Sequence, residues 1–112
     1  MKSSQKEIPY FESVFEVVQL IPFGRAASYG DISNYLSLGS ARMVGWAMNK
    51  SFSAKHVPAH RVVNRKGELS GRIHFPTPDM MQELLEGEGI KIEDHRIVDW
   101  EKVRWDPSRE LL

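Results

Sequence analysis

Residues 24–49, GRAASYGDISNYLSLGSARMVGWAMN, decide the fold because they contain two helix starts separated by a glycine-containing turn. Ser28 lies three residues before Asp31, and this spacing is typical of an N-cap and the first helical turn that follows it. Ser40 can cap a second helix in the same way. Two short helices joined by such a turn predict a helix-turn-helix over about residues 28–50.

Further elements are predicted around this motif. A helix is expected over residues 10–21, where apolar side chains recur at helical spacing. The segment 61–69 combines β-prone residues with a Lys-Gly turn and predicts a small hairpin or wing. Thr77 is the predicted N-cap of a last helix. The apolar residues expected to face the core are Phe11, Val14, Phe15, Val18, Ile21, Ile32, Tyr35, Leu36, Val44, Ala47, Met48, Met80, Leu84 and Leu85, together with Trp100, Val103 and Trp105 of the tail.

Composition narrows the class of protein further. The chain has 112 residues, 15 Lys+Arg, 15 Asp+Glu and no cysteine. This length fits a single domain over residues 1–112, and the predicted helices make it mainly α. Without cysteine, disulfides, zinc–thiolate sites and a thiol nucleophile are excluded. The apolar runs are too short to span a membrane and the N-terminus lacks the apolar core of a signal peptide, so we expect a soluble intracellular protein.

The balanced charge hides an uneven distribution along the chain. Residues 41–75 carry seven bases against one acid, a net charge of +6, whereas residues 76–112 carry five bases against ten acids, a net charge of −5. Such asymmetry permits a basic, nucleic-acid-binding face on a neutral protein. Chance clustering on a solvated surface gives the same pattern, so the charge alone does not decide between the two.

Few residues offer chemistry by their spacing. His56 and His60 are four apart, as in a helical metal pair, but Pro58 between them disfavours the helix that the pair needs. Arg42, at the start of a helix, is placed to contact phosphate or to enter a groove, although a plain surface arginine is the alternative. Tyr29 can stack on a base or contact phosphate, or it can simply pack half-buried.

Three segments, 24–32, 41–48 and 57–63, together resemble the DNA-binding domain of O6-alkylguanine-DNA alkyltransferases. That family has Pro-Cys-His-Arg-Val at its active site, where the cysteine accepts the alkyl group, and here Ala59 occupies the cysteine position. A short chain without this cysteine is similar to the alkyltransferase-like branch, whose members bind alkylated DNA without repairing it. The resemblance implies a winged helix-turn-helix-like fold with a small β-hairpin.

The resemblance also assigns residues. Arg42 corresponds to the arginine finger that fills the space of a flipped nucleotide, and Tyr29 to the tyrosine that turns the neighbouring phosphate. His60 and Glu88 correspond to the active-site hydrogen-bond network, retained here without catalysis. Arg72 corresponds to an arginine that contacts the flipped base. The implied DNA contacts are Tyr29, Arg42, Arg72, Ser40 and Ala41, and the implied lesion pocket, between the motif at 57–63 and a binding-site loop at about 67–76, comprises Tyr29, Pro58, Ala59 and Arg72.

The function implied by the resemblance is recognition without catalysis. The protein is expected to bind O6-alkylguanine in double-stranded DNA through the minor groove as a monomer, without cofactor or metal. It would flip the damaged base into a pocket beside Ala59 and pass the lesion to nucleotide excision repair proteins. The alternatives are a winged-helix regulator that reads undamaged DNA, an alkyltransferase inactivated by Cys-to-Ala substitution, and an enzyme with another nucleophile.

Overall fold

The predicted helix over residues 10–21 is present as α1, Pro9–Gln19, in the computed structural model, which describes residues 9–51 and 56–111. Within these residues, short strands and single helical turns connect the helices. The other elements, in order, are β1 (Ala27–Ser28), α2 (Tyr29–Tyr35), α3 (Ala41–Asn49), a 3-10 turn (Ala59–Arg61), β2 (Val62–Val63), a second 3-10 turn (Ser70–His74), α4 (Met80–Gly87), β3 (Ile92–Glu93), β4 (Arg96–Ile97), α5 (Trp100–Val103) and α6 (Pro107–Glu110).

The helix-turn-helix is confirmed. The hydroxyl of Ser28 accepts a hydrogen bond from the backbone amide of Asp31 at 3.0 Å, so this residue caps α2 as its position predicts. Helix α3 has the expected bounds, but the side chain of Ser40 makes no capping hydrogen bond. Instead, the backbone carbonyl of Ser40 accepts from the amide of Met43 at 3.2 Å. The prediction that this side chain caps α3 is therefore wrong, although the helix begins where expected.

Helices α1, α2 and α3 share one hydrophobic core, and most of its predicted members are buried. Three of the predicted members, Phe11, Phe15 and Leu36, are only partly buried and pack against the outside of this core. Tyr35, predicted to face inward, is 39% exposed at the last residue of α2. The buried residues of this core are Val14, Val17, Val18, Ile21, Ala27, Ile32, Val44, Ala47, Met48, Val57, Val62 and Trp105.

The predicted hairpin over 61–69 is wrong. Its β-prone residues form β2, which pairs in parallel with β1, with Ala27 opposite Val62. The turn itself exists, since the Gly67 amide donates to the Asn64 carbonyl at 2.9 Å and the Asn64 amide to the Glu68 carbonyl at 3.1 Å. The pairing goes no further along the two segments, and Glu68 forms an antiparallel bridge with Arg96 instead. The antiparallel hairpin of the described residues consists of β3 and β4 instead.

The last predicted helix begins later than expected, and its buried face is shifted. Helix α4 starts at Met80 with Asp79 before it, so Thr77 is not its N-cap, contrary to the prediction. The inward positions are Met81 and Leu85, four residues apart, which line one helical face. Leu84, predicted to face the core, is 40% exposed because it lies on the neighbouring face.

The C-terminal segment packs onto the domain, as its tryptophans predict. The Trp105 amide donates to the carbonyl of Ala26 at 2.7 Å, and the Ala26 amide donates to that of Val103 at 3.2 Å. Arg104 adds a two-point ion pair with Asp31, with both N–O distances 2.8 Å. This ion pair links the C-terminal segment to α2, the first helix of the helix-turn-helix. In the residues that the structure describes, no helix is both long and apolar enough to cross a membrane.

Candidate nucleic-acid interface

A cavity of about 440 Å³ opens beside the helix-turn-helix. Three parts of the chain form it: helix α3, the first residue of α2, and the two 3-10 turns with the residues that follow them. Most of its lining is apolar, with a few polar groups, which is typical of a site for a flat organic ligand. The lining residues are Tyr29, Ala41, Arg42, Gly45, Trp46, Met48, Asn49, Ala59, Val62, Ser70, Gly71, His74 and Phe75.

Ala59 lies in the lining of this cavity, at the first residue of the 3-10 turn before β2. The backbone amide of Ala59 donates to the carbonyl of Val57 at 2.8 Å, which holds the turn closed. Pro58 precedes the turn and does not itself line the cavity among the described residues. The site therefore presents a methyl group at the position that the resemblance gives to the alkyl acceptor.

Tyr29 lines the cavity from the start of α2. Burial raises the pKa of its hydroxyl above the ordinary value, and a hydrogen bond with the side chain of Ser70 offsets this only in part. Gly71 packs against the hydroxyl so closely that a Cβ at that position would lie 2.9 Å from the tyrosine oxygen. A glycine is needed there because any larger side chain would displace the hydroxyl. Tyr29 therefore remains a neutral hydrogen-bonding group held in place by its neighbours.

Arg42 and Ala41 line the cavity from the first turn of α3, and both are exposed. Arg42 makes no ion pair with any described residue, so its guanidinium remains available to a ligand. Ser40 lies just outside the cavity. Because its side chain does not cap the helix, the amides of Ala41 and Arg42 in the first turn can face a phosphate, whereas that of Met43 donates to the Ser40 carbonyl.

The structure places Arg72 next to this cavity rather than in it. Its guanidinium donates to the backbone carbonyl of Leu69 at 3.1 Å. The side chain borders a smaller groove with Ile73, Pro76 and Pro78, which shares Phe75 with the main cavity. The role of Arg72 as a base contact stays a prediction, and it would require the side chain to turn away from Leu69.

His60 and Glu88 are brought together, as the resemblance implies. The His60 Nε2 atom lies 2.6 Å from Glu88 Oε2, and the Glu88 side chain is only 6% exposed. The same carboxylate accepts from Arg61 Nε at 3.0 Å and from the Gly24 amide at 2.7 Å. Arg61 also donates to the carbonyl of Ile21 at 2.9 Å. We call Gly24, His60, Arg61 and Glu88 the carboxylate cluster.

The charge of Glu88 is stabilised by its neighbours. Burial by itself raises the pKa of this carboxyl, but hydrogen bonds from Arg61, Gly24 and His60 and the charge of Arg61 outweigh it. The resulting pKa lies below the ordinary glutamate value. Because Arg61 is engaged in this cluster, it does not contribute to a DNA-binding face, although the sequence counts it among the seven bases of residues 41–75.

Several lining residues were not named from the sequence as binding residues, and the three with the largest side chains that present a ring are Trp46, His74 and Phe75. The sequence does contain a signal for Trp46. Tryptophan is highly buried on average, so a tryptophan at an outward position of a predicted recognition helix is unusual. The other two follow Arg72 on a 3-10 turn whose path cannot be read from local sequence. Within residues 9–51 and 56–111, no group of three His, Cys, Asp or Glu side chains could hold a metal ion.

Comparison with known proteins gives the site its context. The family model described as 6-O-methylguanine DNA methyltransferase, DNA binding domain, matches residues 9–90. Alkyltransferase-like protein 1 of Schizosaccharomyces pombe is 37% identical over 84 residues, which cover 74% of this chain and 78% of the relative. The DNA base-flipping protein of Escherichia coli is 30% identical over 103 residues, which cover 91% of this chain and 78% of the relative.

Solved structures of two related proteins also match the fold of this chain. A crystal structure of S. pombe Atl1 in complex with damaged DNA containing O6-carboxymethylguanine aligns with a TM-score of 0.76 at 30% identity, covering 91% of this chain and 100% of that chain. Mycobacterium tuberculosis OGT in complex with DNA aligns with a TM-score of 0.65 at 32% identity, covering 74% and 51%. The fold and family predicted from the sequence are confirmed. This chain belongs to the family of the 6-O-methylguanine DNA methyltransferase DNA-binding domain and resembles its alkyltransferase-like and base-flipping members.

Proposed function

We propose that this protein recognises O6-alkylguanine in double-stranded DNA and binds it without removing the alkyl group. One observation supports the proposal: Ala59, which the resemblance aligns with the alkyl-accepting cysteine, lines the cavity beside the helix-turn-helix and contributes only a methyl group there. Support comes from the similar Atl1 protein, crystallised with DNA that contains O6-carboxymethylguanine.

The chemistry of the cavity argues against alkyl transfer. Displacement at an alkyl carbon needs a strong, positioned nucleophile, and the chain contains no cysteine to supply a thiolate. The hydroxyls among the lining residues are those of Tyr29 and Ser70. Burial raises the pKa of Tyr29, which keeps its oxygen protonated and a poor nucleophile at neutral pH. The cavity is therefore proposed to hold a base rather than to react with it.

We propose that the damaged guanine leaves the duplex and enters this cavity. A volume of about 440 Å³ falls within the range of roughly 300–1,000 Å³ that is usual for small-molecule pockets, so a purine with an alkyl substituent fits. Base flipping costs a few kcal/mol and costs less for a poorly paired base, which itself favours damaged guanine. Arg42, exposed on α3, would occupy the vacated space from the minor groove.

Because the lesion survives binding, another system must remove it, and we propose nucleotide excision repair for that step. The residues 76–112, with a net charge of −5, are the candidate contact surface for those proteins. Loss of this protein should then sensitise cells to alkylating agents only when excision repair is functional. Equal sensitisation in cells that lack excision repair would contradict this step and leave lesion binding untouched.

The direct test compares matched duplexes with O6-methylguanine or guanine at one position. We expect at least tenfold tighter binding to the damaged duplex and no transfer of the methyl group, measured by mass spectrometry of the protein. All affinities are compared at one salt concentration, because affinity that comes from phosphate contacts falls as the salt concentration rises. Equal affinity for both duplexes, or a consensus sequence recovered from random undamaged DNA, would favour the winged-helix regulator instead.

Gly45 gives a prediction with two effects of opposite sign. It lies inside α3 and lines the cavity, and a Cβ added there would meet no heavy atom within 4 Å. Gly45→Ala should therefore stabilise the free protein by about 0.5–1 kcal/mol through helix propensity. The same methyl group should weaken DNA binding by about tenfold, because it would project into the cavity that is proposed to receive the base.

Urea denaturation and a fluorescence anisotropy titration measure these two effects. The matched control is Gly87→Ala, at the end of α4, where an added Cβ also meets nothing within 4 Å but which does not line the cavity. Gly87→Ala should leave DNA binding unchanged. Unchanged DNA binding in the Gly45→Ala variant would show that the DNA does not pack against this face of α3.

A further inference from the structure

Trp46 stands apart from the other two tryptophans of the chain. Trp105 is buried in the core, and the indole N–H of Trp100 donates to the Arg65 carbonyl at 2.9 Å. Trp46 lies on α3, lines the cavity and is 52% exposed, and its indole N–H has no hydrogen-bond partner among the described residues. Packing within the domain therefore leaves much of the Trp46 ring exposed to solvent.

The position of Trp46 on α3 places it at the mouth of the cavity. It follows Arg42 by four residues, so both side chains project from the same face of the helix. Both are exposed and both line the cavity, whereas Met48 and Val62 in the same lining are buried. The exposed pair borders the opening, and the buried pair forms the interior.

A half-exposed indole at this opening has one clear chemical use. An aromatic side chain stacks on any nucleobase, since every base has a π-face, and such stacking contributes to affinity without reading hydrogen-bond patterns. The other rings in the lining are those of Tyr29, His74 and Phe75, and of these Tyr29 is held in place by its neighbours, whereas Trp46 is the ring that α3 contributes beside Arg42. A base that enters the cavity beside Arg42 comes within reach of Trp46, one helical turn further along the same face of α3.

We propose that Trp46 is a binding residue that stacks on the extrahelical base and holds it in the cavity. This inference rests on the proposed function, because it requires a base outside the duplex. It makes a distinctive demand: the contribution of Trp46 exists only when a base is present at the flipped position. A contact with the sugar-phosphate backbone would contribute equally whether or not the base is there.

An abasic site separates these two cases. The wild type, Trp46→Ala and the control Leu20→Ala are titrated with three duplexes that differ at one position: O6-methylguanine, guanine or an abasic site. Leu20 is 54% exposed, so the control removes a comparably exposed apolar side chain away from the cavity. We expect Trp46→Ala to weaken binding to the lesion about tenfold and to the abasic duplex less than twofold, and Leu20→Ala to change neither.

Tryptophan fluorescence provides a readout that a structural role would not change. Stacking on a base should quench the emission of Trp46 in the wild type at saturating lesion duplex. The quenching should be lost in the Trp46→Phe variant, which keeps an aromatic ring and should retain most of the affinity. With the abasic duplex, quenching should be weak in both proteins.

The outcomes distinguish this inference from the function on which it rests. If the wild type prefers the lesion but Trp46→Ala binds it equally well, or loses as much affinity for the abasic duplex, the stacking role is wrong and the proposed function stands. If the wild type shows no preference for the lesion, the proposed function fails and the stacking role with it.

Discussion

Replacing Arg42 with alanine is expected to weaken binding to a duplex with O6-methylguanine by 10- to 100-fold while leaving the fold intact. The side chain is exposed on the first turn of α3 and makes no ion pair with a described residue, so its removal costs the free protein little. In the complex, we expect the guanidinium to fill the space that the flipped base leaves, a contribution of about 1–3 kcal/mol. Anisotropy titrations and thermal unfolding measure the two quantities.

Two further variants make this result interpretable. Arg109→Ala removes another exposed arginine, on α6 outside the cavity, and should change affinity less than threefold. Arg42→Lys keeps the charge but loses the planar guanidinium, so it should recover only part of the affinity. If Arg42→Ala binds the lesion as well as Arg109→Ala does, then Arg42 has no role in replacing the flipped base.

The helix-turn-helix could be predicted from the sequence because short-range interactions determine it. The Ser28 cap lies three residues from its partner amide, and the apolar positions of α3 recur within nine residues. These interactions involve residues that are close together in the sequence, so the sequence alone is enough to predict them. The error at Ser40 is of the same kind and small, since the helix still begins at the next residue.

The hairpin prediction failed because strand pairing is a long-range choice. The segment Val62–Val63 has the right composition for a strand, but its partner Ala27–Ser28 precedes it by 35 positions. A two-residue strand carries too little alternation to specify a partner, and here the packing of the helix-turn-helix brings the two segments together. The actual hairpin is equally short and offers no stronger local signal.

The residues of the candidate site also fall into two groups: those that a local sequence pattern predicts and those whose position depends on long-range packing. The motif at 57–63 indicated Ala59, and the start of α3 indicated Arg42, each through a local pattern. The position of Arg72 beside the cavity depends on the path of a 3-10 turn and could not be predicted locally. Arg61 was counted with the basic surface because nothing in its neighbourhood along the chain shows that a glutamate 27 residues away engages it.

Glu88→Gln is expected to destabilise the protein by about 3 kcal/mol at pH 7, the largest stability effect among these predictions. The substitution keeps the size of the side chain but removes the charge that Arg61 faces in a largely buried site. It also replaces an oxygen that accepts hydrogen bonds with an amide group that donates them. Since Glu88 joins the turn at Gly24 to the 3-10 turn at Ala59–Arg61, weakening it loosens the turn that holds Ala59 in the cavity lining. Urea denaturation measures the change.

The pH dependence tests whether the ionised carboxylate is the cause. The pKa of Glu88 lies below the ordinary glutamate value of 4.5 in the folded protein. Its contribution is therefore fully present above that ordinary value and is lost as the pH falls through the lower, folded pKa. The stability difference between wild type and Glu88→Gln should therefore shrink as the pH falls below 4.5.

The control for this experiment is Glu83→Gln, which neutralises an exposed glutamate on the same helix and should change stability by less than about 0.5 kcal/mol. A Glu88→Gln effect as small as this, or one that does not shrink in acid, would contradict the role of the carboxylate. The expected result also has a meaning for function. If this chain binds the lesion without transfer, as proposed, the carboxylate cluster has no thiol to activate. Its measurable contribution is then to stabilise the turn that carries Ala59, a residue of the cavity lining.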